Sequence, residues 1–220
     1  MGRFPQPQGG KGSLRWIQLL VNQHPEVMNE SIGLGPVEWR SPRADDGYAE
    51  YRDQAFLDRL GVVLSKRRLD EFWPSGGPQW DALGRAASGE AVLVEAKAHV
   101  AELLSTPMQA VGASAETIRR SLSQAASALG ALPGTDWSQR FYQYANRLAH
   151  AWFLAEVNGV SVRLAFVHFI GDSEMDGPSS RREWEAALMV LHEALGLRGR
   201  IPGYVVEVFI DVRPSVPMVV

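Results

Sequence analysis

The stretch from residue 79 to residue 99, QWDALGRAASGEAVLVEAKAH, contains the strongest structural signal in the chain. Two segments of strand length, 79–85 and 91–99, are joined by the five residues 86–90, which include a glycine. A connection of this length and composition is typical of a β-hairpin. The sequence therefore predicts two antiparallel strands here.

One face of the second strand changes from apolar to charged halfway along its length. Side chains alternate along a strand, so this face carries Ala91, Leu93, Glu95, Lys97 and His99. The opposite face is wholly apolar. A solvated edge strand usually alternates from its start, whereas this strand places an acid, a base and a histidine together at its end. The pattern indicates a functional site.

The loop length also predicts which residues face each other across the hairpin. If Arg85 pairs with Ala91, then Asp81 lies opposite Glu95. Opposed residues have Cβ atoms about 4.5–5.5 Å apart, and like charges at that distance are destabilising. A divalent cation between the carboxylates removes the repulsion. Lys97, one step along the same face, would then position or deprotonate a water, or stabilise the charge of the transition state.

The segments Pro78-Gln79-Trp80-Asp81 and Val92-Leu93-Val94-Glu95-Ala96-Lys97 resemble the PD-(D/E)XK motif of restriction-endonuclease-like nucleases. The proline lies two residues further from the aspartate than in the name-giving pattern. The resemblance implies that Asp81 and Glu95 bind Mg²⁺ or Mn²⁺ and that Lys97 assists the attacking water. It also implies a core of a helix, a three-stranded meander, a helix and a further strand. The alternative is a surface Glu/Lys pair at the end of a strand.

Two further residues have two interpretations each. An acid on the helix before the meander commonly adds a metal ligand in the family that the motif resembles. Glu50, in a helix predicted over 48–60 and ended by Gly61, is the candidate, although a side chain between two tyrosines can also point to water. His99 would contact a phosphate or a water, or would simply be solvated.

A helix predicted over 141–156 carries an unusual polar stripe. Its buried stripe consists of Phe141, Ala145, Leu148, Trp152 and Ala155. The second stripe consists of Gln143, Asn146, Arg147 and His150. One interpretation is a solvated face. The other assigns Gln143, Asn146 and Arg147 to nucleic-acid contacts, because amides and arginine suit phosphates and base edges; residues 142–147 also resemble the glutamine-bearing helix of several branches of that family.

The remaining patterns predict one domain. Residues 1–12 are rich in Gly, Pro and Gln and are expected to form a loose tail, and residues 13–220 a single nuclease-like domain. Ser13 is the expected cap of the first helix. The run 160–170 is apolar throughout and predicts a strand covered on both faces. The predicted order ααββααβαβ indicates an α/β fold, a mixed sheet flanked by helices.

The amino-acid composition limits which metal ions and which residue roles can be expected. The chain of 220 residues has no cysteine, so any metal must be held by carboxylates or histidines, which favours hard ions such as magnesium or manganese. Arginine occurs 19 times and lysine three times, so each lysine invites a specific role. No apolar run is long enough to cross a bilayer and no signal-peptide pattern is present, from which we expect a soluble, cytoplasmic protein.

These observations lead to two functional hypotheses. The first is a metal-dependent nuclease that hydrolyses a phosphodiester of nucleic acid, DNA in the first place. The second is a non-catalytic module on the same fold that binds nucleic acid or protein. The expected partners are nucleic acid and, as an assembly still to be tested, a second copy of the chain in a homodimer; no membrane partner is expected.

Overall fold

The hairpin at residues 82–97 lies in the middle of the sheet, in a computed structural model that describes residues 2–213. The strands are β1 (Arg3–Phe4), β2 (Val37–Ser41), β3 (Glu50–Tyr51), β4 (Ala82–Ala86), β5 (Ala91–Lys97), β6 (Val162–Ile170) and β7 (Val205–Asp211). The helices are α1 (Gly12–Gln23), α2 (Pro25–Ile32), α3 (Gln54–Leu60), α4 (Leu69–Phe72), α5 (Gly112–Ala128), α6 (Tyr142–Trp152) and α7 (Arg181–Ala194).

The main sheet has five strands in the order β2-β4-β5-β6-β7. The first three are antiparallel neighbours, whereas β6 runs parallel to β5 and β7 parallel to β6. This confirms the predicted mixed sheet, and the pairing of Arg85 with Ala91 confirms the predicted register of the hairpin. Strand β6 is central and buried along almost all of its length, as its apolar run predicted.

Helices cover both faces of the sheet, and each face has its own apolar core. On one face, α1 packs against β5, and α2 packs against β2 and β7; the core there includes Ile17, Met28, Val92 and Val94. On the other face, α6 packs against β6, and the core there includes Leu93 and Phe166. Glu95 and Lys97 lie on this second face, because they alternate in phase with Leu93.

The helix predicted over 48–60 begins only at Gln54, and this corrects the placement of Glu50. Residues Glu50–Tyr51 form β3 instead, paired with β1 and, at Tyr51, with Trp80. Asp53 has a φ of +54°, which interrupts any helix that runs through it. The helix does end at Gly61 in the left-handed conformation, as predicted.

The N-terminal segment differs from the loose tail that its composition predicted. Arg3–Phe4 pair with β3, and Gln18 of α1 binds the backbone of Gly9 and Pro7. These partners satisfy backbone groups that a tail would leave to water. Helix α1 begins at Gly12 after Lys11, so Ser13 is not its cap.

Several other elements were not predicted or differ in detail. Strand β2 and the short helices α2 and α4 have no counterpart in the predicted order. The helix predicted to continue to residue 156 changes after Trp152 to a turn of π-helix, Phe153–Val157. None of the helices within residues 2–213 is both long and apolar enough to span a bilayer.

Replacing Gly84 by alanine should destabilise the fold by about 1–3 kcal/mol. A Cβ at this position would lie 2.5 Å from Cγ1 of Val37 and 3.1 Å from the ring of Trp39, so β2 and β4 would have to separate. Urea denaturation of Gly84→Ala measures the loss. Gly35→Ala is the matched control, because a Cβ there meets no atom within 4 Å. Equal stability of the two variants would contradict this account of the strand contact.

Candidate functional site

Three carboxylates from three separate elements surround the end of β5. Trp80 donates its backbone N–H to the carbonyl oxygen of Tyr51 at 3.1 Å, which holds β3, with Glu50, against the residues that precede β4. Asp81 follows and donates its own N–H to the carbonyl of Val94. The predicted strand start at residue 79 is therefore wrong, since regular β4 begins at Ala82.

The carboxylate of Asp81 is fixed over the backbone of β5 next to Glu95. Its Oδ2 accepts a hydrogen bond from the backbone N–H of Ala96 at 2.7 Å. Both acids thus lie at the same end of the hairpin. Their charges interact strongly, because the negative charge of Glu95 raises the pKa of Asp81.

Glu95 is a buried carboxylate with a cation on each oxygen. It is 2% exposed; Oε1 lies 2.6 Å from Nζ of Lys97 and Oε2 lies 2.7 Å from Nε of Arg147. Burial favours the protonated acid, but the charges of Arg147 and Lys97 outweigh it and lower the pKa of Glu95. Lys97 responds in the opposite sense: burial opposes its charge, yet Glu95 and Asp81 raise its pKa. The pair is therefore ionised on both sides.

The other two acids, Asp81 and Glu50, favour their protonated forms. Burial, followed by the charges of Glu95 and Glu50, raises the pKa of Asp81 well above its usual range. Burial and the charge of Glu95 raise the pKa of Glu50 to about 7, against the opposing hydrogen bonds from Gln79 at 2.5 Å and Gln6 at 3.2 Å. The cluster thus holds protons near neutral pH that a cation would displace.

The donor set fits a hard divalent cation. Three carboxylates with no sulfur ligand are the oxygen-rich chemistry that magnesium and manganese prefer. Within the described residues, no three acid or histidine side chains stand arranged as a finished metal site. Both oxygens of Glu95 already bind Lys97 and Arg147. An ion bound to Glu95 would compete with these two cations.

The polar stripe of α6 is buried, so the interpretation of it as a solvated face is wrong. Asn146, Arg147 and His150 are 7%, 4% and 1% exposed. Beyond its pair with Glu95, Arg147 donates to Oδ1 of Asn146 at 2.7 Å and to the carbonyl of Gln79 at 2.8 Å. A guanidinium committed in this way contacts no phosphate directly, which corrects the nucleic-acid role predicted for Asn146 and Arg147. Arg147 instead positions Glu95.

Gln143 and His99 lie at the margins of the cluster. Gln143 is half-buried and borders a small cavity together with Glu95 and Lys97. His99 follows the end of β5 and starts a short 3₁₀ turn, with Nε2 3.3 Å from Oε1 of Glu102. Its ring is thus paired with Glu102, a partner that the alternation along the strand did not predict.

A second buried polar group adjoins Lys97 and was not predicted. In the parallel register of β5 and β6, His168 pairs with Lys97, and its Nε2 lies 2.6 Å from a carboxylate oxygen of Glu207 on β7. Burial favours protonation of Glu207, but hydrogen bonds from His168 and His192 lower its pKa to about 2. In the sequence, Glu207 is the one acid among the apolar residues 205–209. The sequence gave no indication that His168 is its partner.

Comparison of the chain with protein-family models, with curated proteins and with solved structures gave no match. The residues that form the site are therefore the guide to its function. That chemistry consists of three carboxylates, one lysine and one arginine at the end of a central hairpin.

Replacing Asp81 by asparagine should stabilise the metal-free protein near pH 8 and change little near pH 4. The folded pKa of Asp81 is raised above its unfolded value of about 3.9, so ionisation costs more in the folded chain and wild type loses stability as pH rises through the folded pKa. Asparagine cannot ionise but keeps an oxygen for the N–H of Ala96. Urea denaturation at both pH values is the measurement. Asp45→Asn, at a side chain 78% exposed, is the control; a loss at pH 8 in Asp81→Asn would contradict the electrostatic account.

Replacing Arg147 by methionine should cost about 3–5 kcal/mol, because it leaves the buried charge of Glu95 with one partner fewer. Adding Glu95→Gln to this variant should restore part of the loss, since the uncompensated charge disappears. Arg181→Met provides the surface control: its pair with Glu185 is exposed and should be worth about 1 kcal/mol or less. Thermal and urea unfolding of the four proteins measure these differences, and an Arg147→Met as mild as Arg181→Met would refute the positioning role.

Proposed function

We propose that this protein hydrolyses phosphodiester bonds of nucleic acid, DNA in the first place, with a divalent metal held by Asp81, Glu95 and Glu50. The observation that supports the proposal most directly is the mutual interaction of these three carboxylates. Burial raises the pKa values of Asp81 and Glu50, and the charges of the neighbouring acids raise them further. Repulsion among buried acids destabilises the folded protein, whereas a cation bound between them would remove that cost.

The order of the elements supports the same proposal. Helix α1 precedes the antiparallel strands β2, β4 and β5, helices α5 and α6 follow, and β6 then lies parallel to β5. This is the order that the PD-(D/E)XK resemblance implies. We therefore infer a restriction-endonuclease-like core, with β3, α3 and α4 inserted between the first two strands of its meander.

Each residue of the carboxylate cluster and its two cations has a distinct role in the proposed reaction. A bound divalent ion would supply Lewis acidity and lower the pKa of a water molecule. Arg147 holds Glu95 in place through a buried hydrogen bond of 2.7 Å. Asp81 and Glu50 would hold the ion in their deprotonated forms. Lys97 places a positive charge beside Glu95, where it stabilises charge that develops in the transition state.

One observation favours the alternative, a non-catalytic binding module. Lys97 and Arg147 together occupy both oxygens of Glu95, so that carboxylate is satisfied without a metal. A protein that uses this cluster only to hold β5 and α6 together would bind nucleic acid or protein with no metal requirement. The two functions therefore separate on metal dependence.

Replacing Lys97 by alanine should lower DNA cleavage by the folded protein about a hundredfold or more. It should also lower the free energy of unfolding by about 3–5 kcal/mol, because buried Glu95 loses one of its two cations. The amine acts on charge that appears only in the transition state, so its loss lowers turnover more than affinity. The measurements are cleavage of supercoiled and linear DNA with Mg²⁺ or Mn²⁺, and Mn²⁺ titration calorimetry. Lys66→Ala is the matched lysine control and should keep full activity.

Further variants locate the source of the effect. Lys97→Arg keeps the charge but cannot accept a proton, so retained activity assigns an electrostatic role and lost activity assigns proton transfer or tight geometry. Asp81→Ala should abolish the Mn²⁺ signal. Chelator should stop cleavage and added Mg²⁺ should restore it. Wild-type protein that cuts neither DNA nor RNA with either metal would leave the binding module as the function.

A further inference from the structure

A sizeable cavity of the described structure lies outside the carboxylate cluster. It encloses about 610 Å³ and is bordered by α3, the segment that follows it, α4 and the inner side of α6. Its walls include the apolar side chains of Val62, Leu64, Leu69 and Trp73. Nothing in the proposed hydrolysis uses this space.

A histidine of α6 faces the cavity with an unpaired nitrogen. His150 is 1% exposed, and its Nδ1 lies 2.8 Å from the carbonyl oxygen of Asn146. Because a carbonyl can only accept, Nδ1 carries the hydrogen and Nε2 is a bare acceptor. Burial lowers the pKa of His150 to about 3, which keeps the ring neutral. Within residues 2–213 Nε2 makes no hydrogen bond to a protein donor, and the atom is open to the cavity rather than sealed in the core.

A carboxylate oxygen and this nitrogen both lie beside Gly77. A Cβ placed on Gly77 would lie 3.2 Å from Oδ1 of Asp53, 3.4 Å from Cδ1 of Trp73 and 3.5 Å from Nε2 of His150. Asp53 is held there by the backbone N–H groups of Gly76 and Gly77 and by its own φ of +54°. Two fixed acceptors therefore converge beside the glycine.

The charge of the cavity selects a cationic ligand. Asp53, Asp58 and Asp70 line it against one arginine, Arg68. Outside the lining, Nε of Arg52 lies 3.6 Å from Oδ2 of Asp53. An anion would be repelled, and a group with several N–H donors would satisfy both Asp53 and the bare nitrogen of His150. A guanidinium suits this arrangement better than an ammonium, since its planar fork reaches two acceptors at once. The apolar walls suit an alkyl stem.

We propose that this cavity binds a guanidinium group on an alkyl stem, with Asp53 and Nε2 of His150 as its hydrogen-bond acceptors. The group is either an arginine side chain of a peptide or a small guanidine compound. The proposal does not depend on nuclease activity, because neither acceptor belongs to the metal cluster.

Titration calorimetry with three probes tests it: agmatine, acetyl-Ala-Arg-Ala-amide, and the same peptide with citrulline in place of arginine. Wild type should bind at least one guanidinium probe and bind the uncharged citrulline peptide at least about tenfold more weakly. Asp53→Asn should weaken guanidinium binding at least about tenfold. Asparagine tolerates the positive φ and keeps an acceptor for the glycine N–H groups, so the variant isolates the charge. Asp45→Asn, at an exposed carboxylate that does not line the cavity, is the control and should change affinity less than about twofold.

Gly77→Ala tests the site without changing any charge. Its methyl group would occupy the space between the two acceptors. Circular dichroism and urea denaturation establish that it folds; it should then lose guanidinium binding. Binding of the peptide alone identifies an arginine of a partner chain, and equal binding of agmatine identifies a small compound. The proposal is overturned by equal binding of the citrulline peptide, by unchanged binding in folded Gly77→Ala, or by no binding of either guanidinium probe at millimolar concentration.

Discussion

The buried carboxylate of Glu95 is the point on which the arrangement of this protein depends. An ionised acid in the interior is stable only if cations meet it there, and Lys97 and Arg147 do so from β5 itself and from α6. Arg147 also binds the carbonyl of Gln79, which leads into Asp81. One charge therefore fixes a helix, a strand and the entry to the neighbouring strand. The side chains with the most reactive chemistry are thus also those that determine how the layers meet.

The sequence predicted well those features that depend on neighbours along the chain. The length of the 86–90 loop and the alternation of side chains were enough to place Arg85 opposite Ala91, because hairpin register is a local property. The long apolar run of β6 likewise predicted a strand buried on both faces. The proposed grouping of Asp81, Glu95 and Lys97 follows from the same two rules.

Features that depend on distant partners were predicted poorly. Glu50 was assigned to a helix because the apolar spacing after it is helical, but β3 is defined by its pairing with β1 and Trp80. The stripe on α6 showed that Asn146, Arg147 and His150 differ from an ordinary solvated face. It did not show that the face is buried, since the partner of Arg147 lies on β5. Only the assembled sheet supplies that information.

The parallel pairing of β5 with β6 has a consequence for folding kinetics. These strands are neighbours in the sheet although α5 and α6 separate them in the chain, so their contact closes a long loop and is expected to form slowly. Repulsion among acids that develops only after the transition state shortens the lifetime of the native state without delaying its formation. Any bound cation that relieves this repulsion should slow unfolding and so lengthen the lifetime of the folded protein.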